Sequence, residues 1–282
     1  MYGKDNNLIV KTEKYKVSAI VMFTLFFGTS AFSEDKNKRD QKEICPTTQE
    51  YITTLEFVRA KKDQLANEQD ARKLASQVAE GCKGSAKRFI RVVELLLKAG
   101  VFVPNAIQTG VEFSRQNDEK TEAFIAIFRN AFLEDYLDLD FNTAIKMAKS
   151  LTAEFDGNTK QAKNDFQRLA SYCAEKKNID LPLPQCAQLA ARVTRLGNLY
   201  EAGIAKTFIK TVEFLRDDKK GPRLIVGNAL KLSEEIAAAG PGAYDNFTQA
   251  YRYAVSKSGL NMEISAALSF AKEMTAKTNP KN

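Results

Sequence analysis

Apolar residues recur at helical spacing along most of the chain after residue 45. In the segment "GSAKRFIRVVELLLKAG" (84–100), Phe89, Val92 and Leu96 fall on one face of a helix, and Gly100 is a typical stop. Runs that alternate apolar and polar residues, and Asn-Gly hairpin turns, are scarce, so the sequence offers little sign of strands. The pattern predicts an all-α protein whose helices are roughly 12–20 residues long.

One helical pattern occurs twice. The stretch "LDLDFNTAIKMAKSLT" (137–152) aligns without gaps to "LNMEISAALSFAKEMT" (260–275), with Leu, two Ala, Lys and Thr identical. Other matches occur in the same order in both halves: the spacing of Cys82, Arg88 and Arg91 with that of Cys186, Arg192 and Arg195, "KAGV" (98–101) with "EAGI" (201–204), "VEFSR" (111–115) with "VEFLR" (212–216), and "FRNAF" (128–132) with "FTQAY" (247–251).

Such collinear matches predict an internal duplication. We expect two similar multi-helix units in tandem, 45–157 and 158–282, each of five or six helices in a repeat-like array or bundle. The drift in spacing places insertions around 217–242 and 256–259. The alternative is that amphipathic helices resemble one another because their apolar spacing is forced.

The N-terminus has the pattern of an export signal. A basic stretch, "KTEKYK" (11–16), precedes an apolar run at 17–27 that has the length of a signal-peptide core and is too short to cross a bilayer as a helix. Ala31 and Ser33 are small residues placed for a cut before Glu34. An uncleaved membrane anchor or a buried helix is the alternative.

This pattern predicts a signal peptide at 1–33 and a polar linker at 34–44, ahead of the helical units. We therefore expect an exported protein, periplasmic or extracellular, that contacts the membrane only through its signal peptide during export.

Four cysteines follow the expected cut: Cys45, Cys82, Cys173 and Cys186. In an oxidising compartment an even number predicts disulfides. Local pairing is favoured among the three possible connectivities. Cys45 and Cys82 would lie at the same end of a helical hairpin, and a Cys173–Cys186 bond would close a proline-containing loop. Free buried thiols are the alternative.

The chain contains no His, which excludes Ser-His-Asp and Cys-His catalysis and removes the commonest metal ligand. The acidic run "LEDYLDLD" (133–140) lacks the spacing of a calcium loop. We therefore predict neither a metal site nor a cofactor. The net charge of +7 is modest and its charges are interspersed, so nucleic acid is not an expected partner.

Two arginine pairs, Arg88 with Arg91 and Arg192 with Arg195, recur at one spacing. Each pair falls on one helix face and could bind an anionic group or a partner. The alternative is that their stems cover apolar surface while their guanidinium groups pair with nearby acids.

Glu112 and Glu213 are the acids repeated in the "VEFxR" matches. The arginine three residues on, Arg115 or Arg216, predicts a surface ion pair within each helix. The alternative is that the two acids meet as an acid and base couple, as in enzymes that cleave glycans with carboxylates alone.

Taken together, these features favour an exported, non-catalytic helical binding or scaffold protein. Its expected partner is an envelope or extracellular protein, with cell-wall glycan as a further candidate. The alternatives are a carboxylate-dependent hydrolase or lyase of envelope glycan, and a carrier with a small-ligand pocket between the two units.

Overall fold

The structure, a computed structural model, describes residues 47–61, 65–133, 137–155, 157–179, 181–200 and 203–278. Within these residues it is all-helical and contains no strand, as the periodicity predicts. A short 3-10 helix at Gly197–Leu199 accompanies the α-helices. The α-helices are Thr47–Ala60 (α1), Glu68–Ala79 (α2), Ser85–Lys98 (α3), Val103–Ser114 (α4), Asp118–Phe132 (α5), Phe141–Glu154 (α6), Thr159–Ala174 (α7), Leu183–Leu196 (α8), Ala205–Arg216 (α9), Val226–Ala237 (α10), Ala243–Val255 (α11) and Ile264–Lys277 (α12).

Consecutive helices pack as six hairpins. The pairs α1–α2, α3–α4, α5–α6, α7–α8, α9–α10 and α11–α12 share extensive contacts. Each first helix also packs against the first helix of the next hairpin, and α5 with α7 is the closest such pair. Second helices touch more sparingly, as at α2–α4, α6–α8, α8–α10 and α10–α12. The repeating unit is therefore the helix pair, stacked as in α-solenoids.

Several hairpins share one turn geometry. A residue with positive φ ends the connection, the next residue is apolar, and its N–H donates back to a carbonyl near the end of the first helix. The second helix begins two residues after this apolar residue. The positive-φ residues are Gly100, Asp138, Arg223 and Asn261; the donors that follow them are Val101, Leu139, Leu224 and Met262.

The match between 137–152 and 260–275 is a structural equivalence. Leu137 N–H donates to the Asn130 carbonyl at 3.3 Å, and 123 positions later Leu260 N–H donates to the Tyr253 carbonyl at 3.2 Å. Asp138 and Asn261, also 123 apart, have φ of 46° and 49°. The third and sixth hairpins thus share backbone geometry as well as sequence.

The other matches join positions that are not equivalent. Arg88 and Arg91 lie on α3, a first helix, whereas Arg192 and Arg195 lie on α8, a second helix. "FRNAF" and "FTQAY" both lie on first helices, but they are 119 positions apart and so one helical turn out of register with the equivalence at 123. "VEFSR" ends α4, a second helix, whereas "VEFLR" ends α9, a first helix. "KAGV" lies in a turn within a hairpin, whereas "EAGI" connects two hairpins. The forced spacing of amphipathic helices accounts for these similarities.

The helices from residue 45 to residue 282 form one compact unit by their contacts. One continuous cluster of buried side chains runs from Val92 to Ala237 and so crosses residue 157. Each half expected from the sequence contains six helices. The division into units at 157 and 158 stays a prediction.

The cysteines depart from the expected pairing. The predicted Cys173–Cys186 disulfide is not formed. Both cysteines are buried and have free thiols. Their side chains contact each other. A hydrogen bond with Cys186, together with burial, raises the pKa of the Cys173 thiol, whereas the same bond lowers the pKa of Cys186. The two residues are thus brought together as predicted, without the covalent bond.

The signal peptide at 1–33, the linker at 34–44 and Cys45 lie outside the described residues. The Cys45–Cys82 pairing therefore stays a prediction. Among the described helices, none combines the length and the apolar character needed to span a bilayer.

Candidate binding surface on the second helices

Helix α4 carries apolar residues on two faces. Ala106 and Phe113 are buried in the core. Val103, Ile107 and Val111 recur every four residues on another face and are only half-buried. A surface helix usually carries one apolar stripe, which packs against the core. The second stripe of α4 therefore leaves apolar surface that is only partly covered.

This second stripe forms one wall of a groove between α2 and α4. Leu74 of α2 and Leu65, just before α2, also line it, and the cavity measures about 600 Å³. We call it the α2–α4 groove. Its rim is polar and of mixed charge: Asp70, Lys73, Gln77, Gln108 and Glu112. The groove is therefore open, with an apolar floor and a polar rim.

A smaller cavity of about 290 Å³ lies on the other side of Glu112, between α4 and α6. Lys149 of α6 spans it and contacts Glu112 at 2.5 Å. Phe113 and Thr152 are among its lining residues. Glu112 thus lines both cavities and separates them, with its charge neutralised by the lysine.

A third cavity, of about 650 Å³, lies between α8 and α10. Arg192 forms part of its wall and holds Glu234 with two hydrogen bonds of 2.7 Å. Hydrogen bonding to Glu234 raises the pKa of Arg192. Leu189 and Leu230 supply apolar wall, but the paired charges make this cavity more polar than the α2–α4 groove.

Ion pairs join successive second helices along this surface of the described chain. Each pair joins an acid and a base from neighbouring second helices or their capping residues, and the acid belongs to the earlier helix in every pair except Glu234–Arg192. We call the series the ion-pair ladder: Glu80–Arg115, Glu112–Lys149, Glu154–Arg195, Glu234–Arg192 and Glu235–Lys272. Individually such exposed pairs contribute little, about 0.2–1 kcal/mol. Their value here is geometric, because they hold the spacing of helices that pack sparingly.

The repeated arginines have different environments. Arg88 is buried, and its guanidinium group donates to the Ser114 carbonyl at 3.0 Å and to Asp118 at 3.0 Å. Arg91 pairs with Glu122, which raises the pKa of Arg91. Arg88 and Arg91 thus link α3 to α5.

Arg192 and Arg195 belong to the ladder. Burial acts to raise the pKa of Glu154, yet hydrogen bonds from Ser150 and Arg195 outweigh it and leave that pKa lowered. All four arginines therefore have carboxylate partners, in line with the alternative of acid pairing. Anion or partner binding by them stays a prediction.

The ion pairs expected within "VEFxR" are wrong. Glu112 contacts Lys149, and Arg115 contacts Glu80. Arg216 donates to the Asn178 carbonyl, while Glu213 lies exposed on α9. For Glu112 and Arg115, tertiary partners replace the neighbours three residues away because the sparse packing of second helices leaves acids and bases facing each other across the gaps. Glu112 and Glu213 lie on α4 and α9, helices of different layers.

Sequence reasoning missed a capping device between hairpins. A carboxylate on one first helix accepts hydrogen bonds from the N-terminal backbone of the next first helix. Glu50 accepts from Gly84 and Ala86 N–H at 2.8 Å. Glu119 accepts from Lys160 N–H at 3.0 Å.

Asp165 repeats this device in the core. It accepts from Ile204 N–H at 3.1 Å and from Ala205 N–H at 3.4 Å. Burial raises the pKa of Asp165 despite these bonds. The carboxylates satisfy helix-end donors and face the positive end of the helix dipole. No local signal marks them, because each cap lies about 35 to 40 residues from its helix start.

In the described part of the chain, no group of three or more His, Cys, Asp or Glu residues is placed to hold a metal ion. The fold and this surface define an all-helical array of six stacked hairpins. Comparison of the chain with protein-family models, with curated proteins and with solved structures finds no match.

Proposed function

We propose that this chain is an exported, non-catalytic binding protein whose α2–α4 groove takes an amphipathic helix of an envelope or extracellular protein. The observation that carries the proposal is the second apolar stripe of α4, Val103, Ile107 and Val111, which the core covers only in part. Apolar anchors spaced three or four residues apart on a partner helix match this stripe, as in other helix-in-groove complexes.

The environment of the acids supports binding over catalysis. A carboxylate that acts as a general acid usually needs a raised pKa and a secluded site. Glu112 is partly exposed and neutralised by Lys149, and Glu213 is exposed. The grooves are also open to solvent, which favours a protein segment over the small ligand of a carrier.

The groove is tested by capture from the cell envelope of the source organism. The bait is the purified protein, compared with Ile107→Asp in the groove and Ile52→Asp as a matched control on the exposed face of α1. We expect a defined protein to bind the unmodified chain and the control at similar levels, and Ile107→Asp to lose at least about tenfold. Circular dichroism checks that all three are equally folded.

Two outcomes contradict the groove proposal. One is capture of sheared glycan instead of a defined protein. The other is capture that Ile107→Asp leaves unchanged.

Export is tested separately, by expressing the chain in a bacterial host that has a periplasm. We expect the mature protein to begin at Glu34 and to carry a Cys45–Cys82 bond, detectable by mass spectrometry of non-reduced peptides. An N-terminus at Met1 in the cytosolic fraction would contradict export, and a Cys45–Cys173 link would contradict the pairing.

A further inference from the structure

The sixth hairpin exposes a face that is buried in its structural equivalent. The third hairpin, α5–α6, is covered by α7 and α8 of the fourth. Residues 123 positions later occupy the same places on α11–α12. Tyr253 is 55% exposed where Asn130 is 7%, and Met274 is 39% exposed where Leu151 is 0%.

These positions line a cavity on the outer side of the sixth hairpin, of about 370 Å³. We call it the end face. It is lined by Asn246, Ala250, Tyr253, Phe270, Met274 and Thr278, among others. Their equivalents in the third hairpin are, in the same order, Ala123, Ile127, Asn130, Met147, Leu151 and Phe155. The end face therefore has the geometry of a hairpin-stacking surface without a covering hairpin among the described residues.

The composition of the end face fits a protein interface. Tyr, Phe and Met are enriched at such interfaces, and Tyr253, Phe270 and Met274 meet here. No charged residue is among those that line the cavity. Two copies of the face can thus approach each other without repulsion between like charges. Asn246 donates to the Thr278 hydroxyl at 3.0 Å, and that hydroxyl donates to the Thr275 carbonyl. The Tyr253 hydroxyl and the amide oxygen of Asn246 supply a donor and acceptors for a face that must complement itself.

The opposite end of the array is different. The exposed side chains of α1 and α2 are mainly charged or amide-bearing: Gln49, Glu56, Arg59, Arg72 and Lys73. A polar outer surface is what a capping repeat provides. Packing of one copy's sixth hairpin on another's first hairpin would bury these charges at a cost. A closed pair, with end face against end face, avoids that cost.

We propose that the end face joins two copies of this chain in a symmetric dimer, independently of the α2–α4 groove. Helices of 13 or 14 residues are about 20 Å long and about 10 Å wide, so the face covers roughly 400 Å². This is about half of what each partner contributes to a standard interface. An interface of this size makes the dimer a weak one.

Sedimentation velocity of the purified protein between about 1 and about 200 µM tests the dimer. Met274→Lys places a charge in the end face. Ile52→Lys places the same charge on α1, at a residue that is 41% exposed and so matches Met274 in exposure. We expect a dimer for the unmodified chain and for Ile52→Lys, and association at least about tenfold weaker for Met274→Lys. Thermal melts establish that the variants are folded.

Each contrary result is decisive. A monomer at every concentration overturns the dimer. A dimer that Met274→Lys does not weaken overturns the assignment to the end face. Loss of the dimer with Ile52→Lys would show head-to-tail packing instead.

Discussion

Asp165 shows how one residue can connect two hairpins. It lies on α7, is buried, and accepts hydrogen bonds from the first backbone N–H groups of α9. Gly203 allows this approach, because a Cβ there would lie 2.4 Å from the Asp165 Oδ1 atom. Burial of the carboxylate is tolerated since it satisfies donors that a helix start leaves unpaired.

Replacement of Asp165 by Ala should lower the free energy of unfolding by about 1–2 kcal/mol, because two N-terminal donors of α9 lose their acceptor. Urea unfolding followed by circular dichroism measures the change. Asp218→Ala, an exposed acid in the α9–α10 connection, is the control and should change stability by less than about 0.5 kcal/mol. Equal effects of the two substitutions would contradict the capping role.

Glu68 begins α2 and is held by two arginines. Hydrogen bonds from Arg59 and then from Arg72 lower its pKa from 4.5 to about 2. A lowered folded-state pKa stabilises the protein above the unfolded value, and this contribution is lost as the pH falls. The window of loss is therefore between about pH 4.5 and about pH 2.

We expect Glu68→Gln to flatten the dependence of stability on pH within that window. The urea midpoints of the variant and the unmodified protein, compared at about pH 6 and about pH 3, measure this. The difference in urea midpoint between the variant and the unmodified protein should be smaller at the lower pH. A difference that stays constant would mean that the ion pairs of Glu68 do not contribute to acid stability.

At the scale of elements, helix crossings depend on where side chains are small. Gly110 lets α4 approach α3 closely, because an added Cβ would lie 2.5 Å from Val93 Cγ2 and 2.9 Å from Phe89 Cδ2. Gly227, on α10, has no such neighbour within 4 Å. The absence of a side chain is therefore needed for close helix packing at Gly110, whereas Gly227 has room for one.

Alanine at these two positions should have opposite effects. Gly110→Ala should destabilise the protein by about 1–3 kcal/mol through overpacking. Gly227→Ala should stabilise it by up to about 1 kcal/mol, because Ala has the higher helix propensity. Thermal unfolding of both variants gives the comparison. A stabilising Gly110→Ala would show that the α3–α4 crossing can relax.

At the scale of the whole molecule, the hairpins share a core. The buried cluster from Val92 to Ala237 includes side chains of α3 through α10 and crosses the middle of the chain. Leu151 is fully buried within it, on α6. A substitution that leaves a cavity at Leu151 should therefore destabilise helices well beyond the third hairpin.

Leu151→Ala should lower the free energy of unfolding by about 2–5 kcal/mol, as expected for a large-to-small change in a core. If the described helices unfold together, the urea transitions followed by circular dichroism and by tyrosine fluorescence should shift by equal amounts. Separate transitions, of which only one responds to the variant, would show that the array unfolds in parts.

Some features of this protein follow from local sequence. Apolar spacing determined that the chain is helical, and the repeat at 137–152 and 260–275 located two equivalent hairpins, because turn geometry and helix starts are encoded by neighbouring residues. The contact between Cys173 and Cys186 also followed from the short loop between them.

Other features were decided only by tertiary structure. The partners of Glu112 and Arg115 and the caps made by Glu50, Glu119 and Asp165 all depend on residues 34 or more positions apart. Which stripe of α4 is covered depends on how α4 packs against neighbouring helices. Periodicity identifies the face of a helix that can be buried, but the neighbour that buries it is chosen by packing across the whole array. The sequence therefore determined the hairpins, and the stacking of those hairpins decided which apolar surfaces stayed partly uncovered.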